Sequence, residues 1–115
     1  MPKQTALLVD LALVSLFALI GVLSHHESVT ARWPIAVWPF LTACLVAWAI
    51  LLIRKRPVMT LAGGIFIWLV TAWGGLGLRV ATGGGFQVSF GIVATVVTGL
   101  FLLGWRLLMR RHLTD

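Results

Sequence analysis

Apolar residues occur in four long stretches of the chain, separated by short polar or basic segments. The stretches run from about Thr5 to Leu23, Pro34 to Ile53, Met59 to Leu78 and Val88 to Met109. Each has about 20 residues, which at about 1.5 Å per helical residue matches the roughly 30 Å hydrocarbon core of a bilayer. Because a helix satisfies its own backbone hydrogen bonds in lipid, the pattern predicts four transmembrane helices.

The composition supports an all-α integral membrane bundle that forms one domain over residues 1–115. Sixty per cent of the 115 residues are hydrophobic and only 10% are charged. A soluble chain of this length has too little interior to bury so much apolar surface. We therefore expect the bilayer to be the solvent of this protein.

The basic residues predict the direction in which the chain is threaded. Of the nine Lys and Arg residues, only Arg32 and Arg79 fall on one side of the predicted bundle. By the positive-inside rule, both termini should be cytoplasmic, and a bias this strong disfavours a homodimer of oppositely inserted copies. The other side carries the remaining seven, which are Lys3, Arg54, Lys55, Arg56, Arg106, Arg110 and Arg111.

The net charge of +6 points to a lipid surface as the partner. The basic residues lie at the ends of apolar stretches, where anionic headgroups attract them. The loops are too short to form a nucleic-acid-binding module, so no nucleic acid is expected. The single cysteine, Cys44, cannot form an intramolecular disulfide, and nothing in the sequence indicates a cofactor.

Asp10 is a carboxylate inside the first predicted helix, about 7 Å from its beginning at 1.5 Å per residue. Arg106 lies at a similar depth in the fourth predicted helix, which runs antiparallel to the first. A charge at the bilayer centre costs about 2.5–3.5 kcal/mol, and an opposite charge offsets part of that. Two interpretations remain open: an intramembrane ion pair that locks the bundle, or a proton or cation site at Asp10.

Small residues recur on one face of each of the last two predicted helices. Such residues let membrane helices approach closely, so we expect these faces to pack against other helices. The small-residue positions are Gly64 and Gly75 on the third helix and Gly91, Thr95 and Gly99 on the fourth.

A cluster of polar residues is expected on the outer side of the membrane. Histidine and carboxylate side chains can bind divalent metals, but three consecutive residues rarely converge on one ion, so no metal site is predicted. Contact of Arg79 with an anion or a headgroup, or a response to external pH, are the alternatives. The cluster comprises His25, His26, Glu27, Arg32, Arg79 and Gln87.

Several short motifs resemble a known family. They are "VDLALVSLFALIG", "SHH", "WPF" at 38–40, and "LRVATGGGFQVSFGIVATVVTGLFLLGW" followed by Arg106. The chain resembles the bacterial membrane proteins known as domain of unknown function 3054. The resemblance implies a similar size, four helices and a bacterial cytoplasmic membrane, and it carries no activity and no binding residues.

Three functions are compatible with these observations. The first is a small non-catalytic membrane protein that acts as a structural or accessory subunit, as a homo-oligomer or in a larger complex. The second is an oligomeric transporter or channel that uses Asp10, Arg79 and Arg106. The third is a membrane enzyme acting on a lipid, which is disfavoured because no pair of candidate acid and base residues is present.

Overall fold

The computed structural model describes residues 3–24, 29–81 and 88–109, with side chains over 3–20, 37–81, 88 and 91–109. Within these ranges the chain forms four helices and no strands, which confirms the all-α prediction. They are α1 (Lys3–Ser24), α2 (Val29–Ile53), α3 (Leu61–Ala81) and α4 (Val88–Leu108). Helix α2 begins at Val29, about one and a half helical turns before the predicted start at Pro34.

The helices have the length and the surface expected of a membrane protein. Three are long and apolar enough to cross a bilayer, over Lys3–Ile20, Leu61–Ala81 and Gly91–Leu108, and α2 is apolar over Val37–Ile53. Large apolar side chains point outward from every helix, which is unfavourable in water and favourable in lipid. Examples are Leu8, Leu45, Trp73, Ile92 and Leu100.

The four helices form a closed ring in which each packs against its two neighbours. Helix α1 packs on α2, α2 on α3, α3 on α4, and α4 returns to α1. Successive helices are antiparallel, so α1 and α3 begin where α2 and α4 end. We call this the basic end, because Lys3 and the run Arg54–Arg56 lie there.

Helix α3 contains a π-helical turn. It is α-helical over Leu61–Leu69, π-helical over Val70–Gly74 and α-helical again over Gly75–Ala81. A π turn inserts an extra residue and rotates the residues that follow it around the helix axis. Gly64, before the turn, therefore faces Arg106 of α4, whereas Gly75, after it, faces Phe40 of α2.

The connection between α2 and α3 is a compact structure at the basic end. Thr60 caps α3 by accepting a hydrogen bond from the Gly63 N–H at 3.1 Å. Gly63 lies directly against the Pro57 carbonyl, where a Cβ would overlap it. This close approach holds Val58 and Met59 inside the bundle, 0% and 3% exposed.

Candidate functional site

Asp10 and Arg106 form a buried ion pair between α1 and α4. The Arg106 Nη1 donates to Asp10 Oδ1 at 2.9 Å, and Nη2 donates to Oδ2 at 2.7 Å. The two planar groups therefore meet in the bidentate geometry that arginine favours with carboxylates. Asp10 is 0% exposed and Arg106 is 1% exposed, so water reaches neither group.

Two tryptophans complete the surroundings of the carboxylate. Trp48 of α2 donates its indole N–H to Asp10 Oδ2, and Trp105 of α4 donates to Oδ1, both at 2.8 Å. Each carboxylate oxygen thus accepts one bond from the guanidinium and one from an indole. A carboxylate offers about four lone-pair sites, so two oxygens with two donors each leave no strong acceptor direction unused.

The guanidinium of Arg106 is equally well occupied. Besides its bonds to Asp10, Nε and Nη2 donate to the Val58 carbonyl at 3.2 and 2.9 Å, and Nη1 donates to the Leu102 carbonyl at 2.9 Å. All five N–H groups of the side chain therefore have acceptors. The Arg106 Cζ also lies 4.8 Å from the centroid of the Trp105 ring, in cation–π distance.

The positions of these residues along their helices explain why they meet. Asp10 follows the start of α1 at Lys3 by about 10 Å at 1.5 Å per residue. Trp48 and Arg106 lie within the last two turns of α2 and α4, at the same end of the bundle. The compact α2–α3 connection brings the Val58 carbonyl to this depth.

Gly64 of α3 provides the space through which the Arg106 side chain passes. A Cβ at Gly64 would lie 2.6 Å from Arg106 Cδ and 3.1 Å from both Arg106 Nε and Leu103 Cδ2. A side chain at this position would therefore force Arg106, or the helix backbone, to shift. Helix α3 therefore contributes to the site by having no side chain at this position.

The other predicted packing residues lie within the bundle rather than on its surface. The ring of Trp68 covers Gly99 of α4, where a Cβ would lie 2.9 Å from it, and the Trp68 indole N–H donates to the Thr95 carbonyl at 2.7 Å. The Thr95 hydroxyl donates to the carbonyl of buried Gly91 at 2.8 Å, within its own helix. Gly75 packs against the Phe40 ring.

A second buried polar group lies at the π turn. The hydroxyl of Thr71, 0% exposed, lies beside the Cys44 thiol of α2 without a well-aligned hydrogen bond. Most buried hydroxyl groups in proteins are hydrogen-bonded. Among the buried side-chain oxygens of the described residues, this hydroxyl alone has no hydrogen bond of good geometry, and the Cys44 thiol is the polar group beside it.

Of the predicted outer-side cluster, only the side chain of Arg79 is described. It lies half-buried in the last turn of α3, at the end of the bundle opposite the basic end. His25, His26, Glu27 and Gln87 lie outside the described residues. Arg32 is within α2, but its side chain lies outside the described set as well.

Sequence reasoning missed Trp48, Trp105 and the Val58 carbonyl as members of the site. The position of Trp48 along its helix could have indicated its role. Trp48 precedes the end of α2 by about as many residues as Asp10 follows the start of α1, so the two side chains lie at a similar depth. The Val58 carbonyl depends on the loop conformation, which no side-chain pattern reveals. Trp105 is adjacent to Arg106 in sequence, and only the helix rotation shows that its indole also reaches Asp10.

A family model described as protein of unknown function (DUF3054) matches residues 7–109. The chain belongs to this family. The matched region contains both members of the ion pair, both indole donors and the Val58 carbonyl. No curated protein and no solved structure matches the chain.

Proposed function

We propose that this protein is a non-catalytic integral membrane protein that serves as a structural or accessory subunit of a membrane assembly. The observation that carries the proposal is the buried Asp10–Arg106 pair, in which every strong donor and acceptor is engaged by the protein itself. Intramembrane ionisable residues often mark an ion pathway. Here the hydrogen bonds of these groups instead connect α1, α2, α4 and the α2–α3 connection.

A transport role for Asp10 would require its present partners to be displaced. A proton or cation that bound Asp10 would compete with the guanidinium and two indoles, and would leave Arg106 charged and buried. Breaking a buried pair on one side costs about 3–5 kcal/mol. This cost favours an Asp10–Arg106 pair that stays intact over a site at which Asp10 repeatedly binds and releases a proton or cation.

The distribution of charge supports insertion in a bacterial cytoplasmic membrane with the basic end inside. Lys3 and the run Arg54–Arg56 lie together at one end, whereas Arg79 lies at the other. The positive-inside rule favours this orientation. The large exposed side chains between the two ends are apolar, as a lipid-facing or partner-facing surface requires.

The alternative is a small oligomeric transporter or channel, and one observation favours it. The π turn of α3 and the buried Thr71 hydroxyl, which lacks a well-aligned hydrogen bond, place an irregular, polar position in the middle of an apolar bundle. Such turns occur frequently at functional sites. In this alternative, the chain would form an oligomer and its helices would rearrange, so that Asp10 and Arg106, which are buried here, border a polar path together with Arg79.

Purification from native membranes in mild detergent, followed by native mass spectrometry, tests the proposal. We expect a complex of fixed stoichiometry that contains this chain and at least one other protein. The purified chain alone, reconstituted in liposomes with a pH-sensitive dye inside, should give no proton flux above protein-free liposomes.

A different result would support the transporter alternative. A homo-oligomer that conducts protons, and loses conduction in Thr71→Val, would contradict the proposal and support the transporter. Thr95→Val is the matched control, because the Thr95 hydroxyl is already bonded to the Gly91 carbonyl of its own helix.

A further inference from the structure

A cationic groove lies at the basic end, outside the ion-pair site. It has a volume of about 240 Å³ and lies between the first turn of α1 and the α2–α3 connection. All of its lining residues are exposed, and three of the five are cations. The lining residues are Lys3, Leu52, Lys55, Arg56 and Pro57.

The backbone at the end of α2 holds two of these cations in a defined geometry. The Arg56 N–H donates to the Leu51 carbonyl at 2.8 Å, and the Lys55 N–H donates to the Leu52 carbonyl at 3.2 Å. This pair of bonds forms a Schellman motif. In this motif the two residues that follow the helix end donate their N–H groups to its last free carbonyls, and the first of the two is left-handed. Lys55 occupies that position with φ 55°, where glycine is usually found.

The groove has no counter-charge from within the described chain. Asp10 is the single carboxylate among the described residues, and its oxygens are already occupied by Arg106 and two indoles. Lys3, Lys55 and Arg56 are thus close together without an acidic partner there. Cations that converge in this way attract an anion from the surroundings.

The surface next to the groove is apolar. Leu52 forms part of the wall and is 46% exposed, and Ile53 beside it is 79% exposed. Leu8, about one and a half turns after Lys3 on α1, is 66% exposed. A ligand with an anionic head and an acyl chain matches this combination better than a small water-soluble anion.

We infer that the groove binds the headgroup phosphate of an anionic phospholipid, with the acyl chains lying along the apolar surface of α1 and α2. Lys3, Lys55 and Arg56 contact the phosphate, and Leu52 contacts the upper part of a chain. Basic pockets at the cytoplasmic ends of transmembrane helices suit such headgroups. The site is independent of the proposed subunit role, because it uses none of the ion-pair residues.

Native mass spectrometry of the full-length protein in detergent tests the inference. The protein is titrated with phosphatidylglycerol, with phosphatidylcholine of the same chains, and with inorganic phosphate as competitor. We expect retained phosphatidylglycerol at one per chain, weak retention of phosphatidylcholine, and no displacement by millimolar phosphate.

Substitutions separate the groove from the general basic surface. The double variant Lys55→Gln, Arg56→Gln should weaken phosphatidylglycerol binding by about 25-fold, or roughly fivefold per cation removed. Arg54→Gln is the matched control, because Arg54 belongs to the same exposed run but does not line the groove. Its affinity should change by less than about twofold.

Three results would overturn the inference. They are an equal loss in the Arg54→Gln control, equal binding of the zwitterionic lipid, and full displacement by inorganic phosphate. The last would indicate a phosphate site rather than a lipid site. Thermal unfolding of each variant checks that the fold is intact, and equal midpoints are expected because the substituted side chains are exposed.

Discussion

Two sets of cations lie at the same end of this bundle and differ in where their negative partner comes from. Arg106 is buried and is paired within the chain by Asp10, two backbone carbonyls and the Trp105 ring. Lys3, Lys55 and Arg56 are exposed and have no carboxylate partner among the described residues.

The difference follows from the solvent around each group. A cation buried in an apolar interior is tolerated only when fixed protein groups replace its hydration, so its partners must be encoded in the chain. A cation at the membrane surface keeps its water and attracts lipid headgroups. Among the described residues the single carboxylate, Asp10, lies where neither water nor lipid reaches it.

The largest effect should follow the removal of the buried negative charge. Asp10→Asn leaves Arg106 charged at 1% exposure and turns an amide N–H₂ toward groups that are themselves donors. We expect the free energy of unfolding in detergent to fall by about 3–5 kcal/mol. Lys55→Gln, at the exposed groove, is the control and should change it by less than about 0.5 kcal/mol. If Asp10→Asn and Lys55→Gln lowered the free energy of unfolding equally, the buried cation would not depend on a partner within the chain more than the exposed cations do.

A smaller loss is expected when one indole donor is removed. Trp48→Phe deletes the 2.8 Å bond to Asp10 Oδ2 and keeps an aromatic ring in the core. Loss of a hydrogen bond to a charged group should lower the free energy of unfolding by about 1.5–3 kcal/mol. Trp73→Phe is the matched control, because Trp73 is 60% exposed on the lipid-facing surface. A loss of the same size in both variants would show that ring size, not the bond to Asp10, matters.

The packing of the Arg106 side chain against α3 can be disturbed without substituting a charged residue. Gly64→Ala places a Cβ 2.6 Å from Arg106 Cδ, and should lower the free energy of unfolding by about 1–3 kcal/mol. At Gly104 of α4 nothing lies within 4 Å of an added Cβ. Gly104→Ala should therefore be neutral or stabilising by up to about 1 kcal/mol. If both alanines are tolerated equally, the close passage of Arg106 is not required for stability.

The smallest expected change in the free energy of unfolding comes from a substitution at the groove, and it should be an increase rather than a decrease. Lys55→Gly relieves a left-handed conformation at φ 55° and should raise the free energy of unfolding by about 1 kcal/mol. The same substitution should weaken phosphatidylglycerol binding, because one of the three groove cations is lost. Arg54→Gly, just before the left-handed position, should bring no gain in stability. A Lys55→Gly variant that binds the lipid as tightly as the original would contradict the role given to Lys55.

The sequence was sufficient to predict the four helices, because each apolar stretch is long enough to span a bilayer and is bounded by polar residues. It was also sufficient to predict that Asp10 and Arg106 reach a common depth. It could not show the π turn at Val70–Gly74, since the extra residue leaves no mark in an apolar pattern. Nor could it reveal the Val58 carbonyl or the left-handed Lys55, which depend on backbone dihedral angles.

The measurement that tests the central claim most directly is a double-mutant cycle at the buried pair. The free energy of unfolding in detergent is measured for the original chain, Asp10→Asn, Arg106→Gln and the double variant. If the pair is a structural lock, the double variant should be less destabilised than the sum of the single variants by about 2–3 kcal/mol. Additivity within about 0.5 kcal/mol would contradict the account, since it would mean that the two charges do not depend on each other.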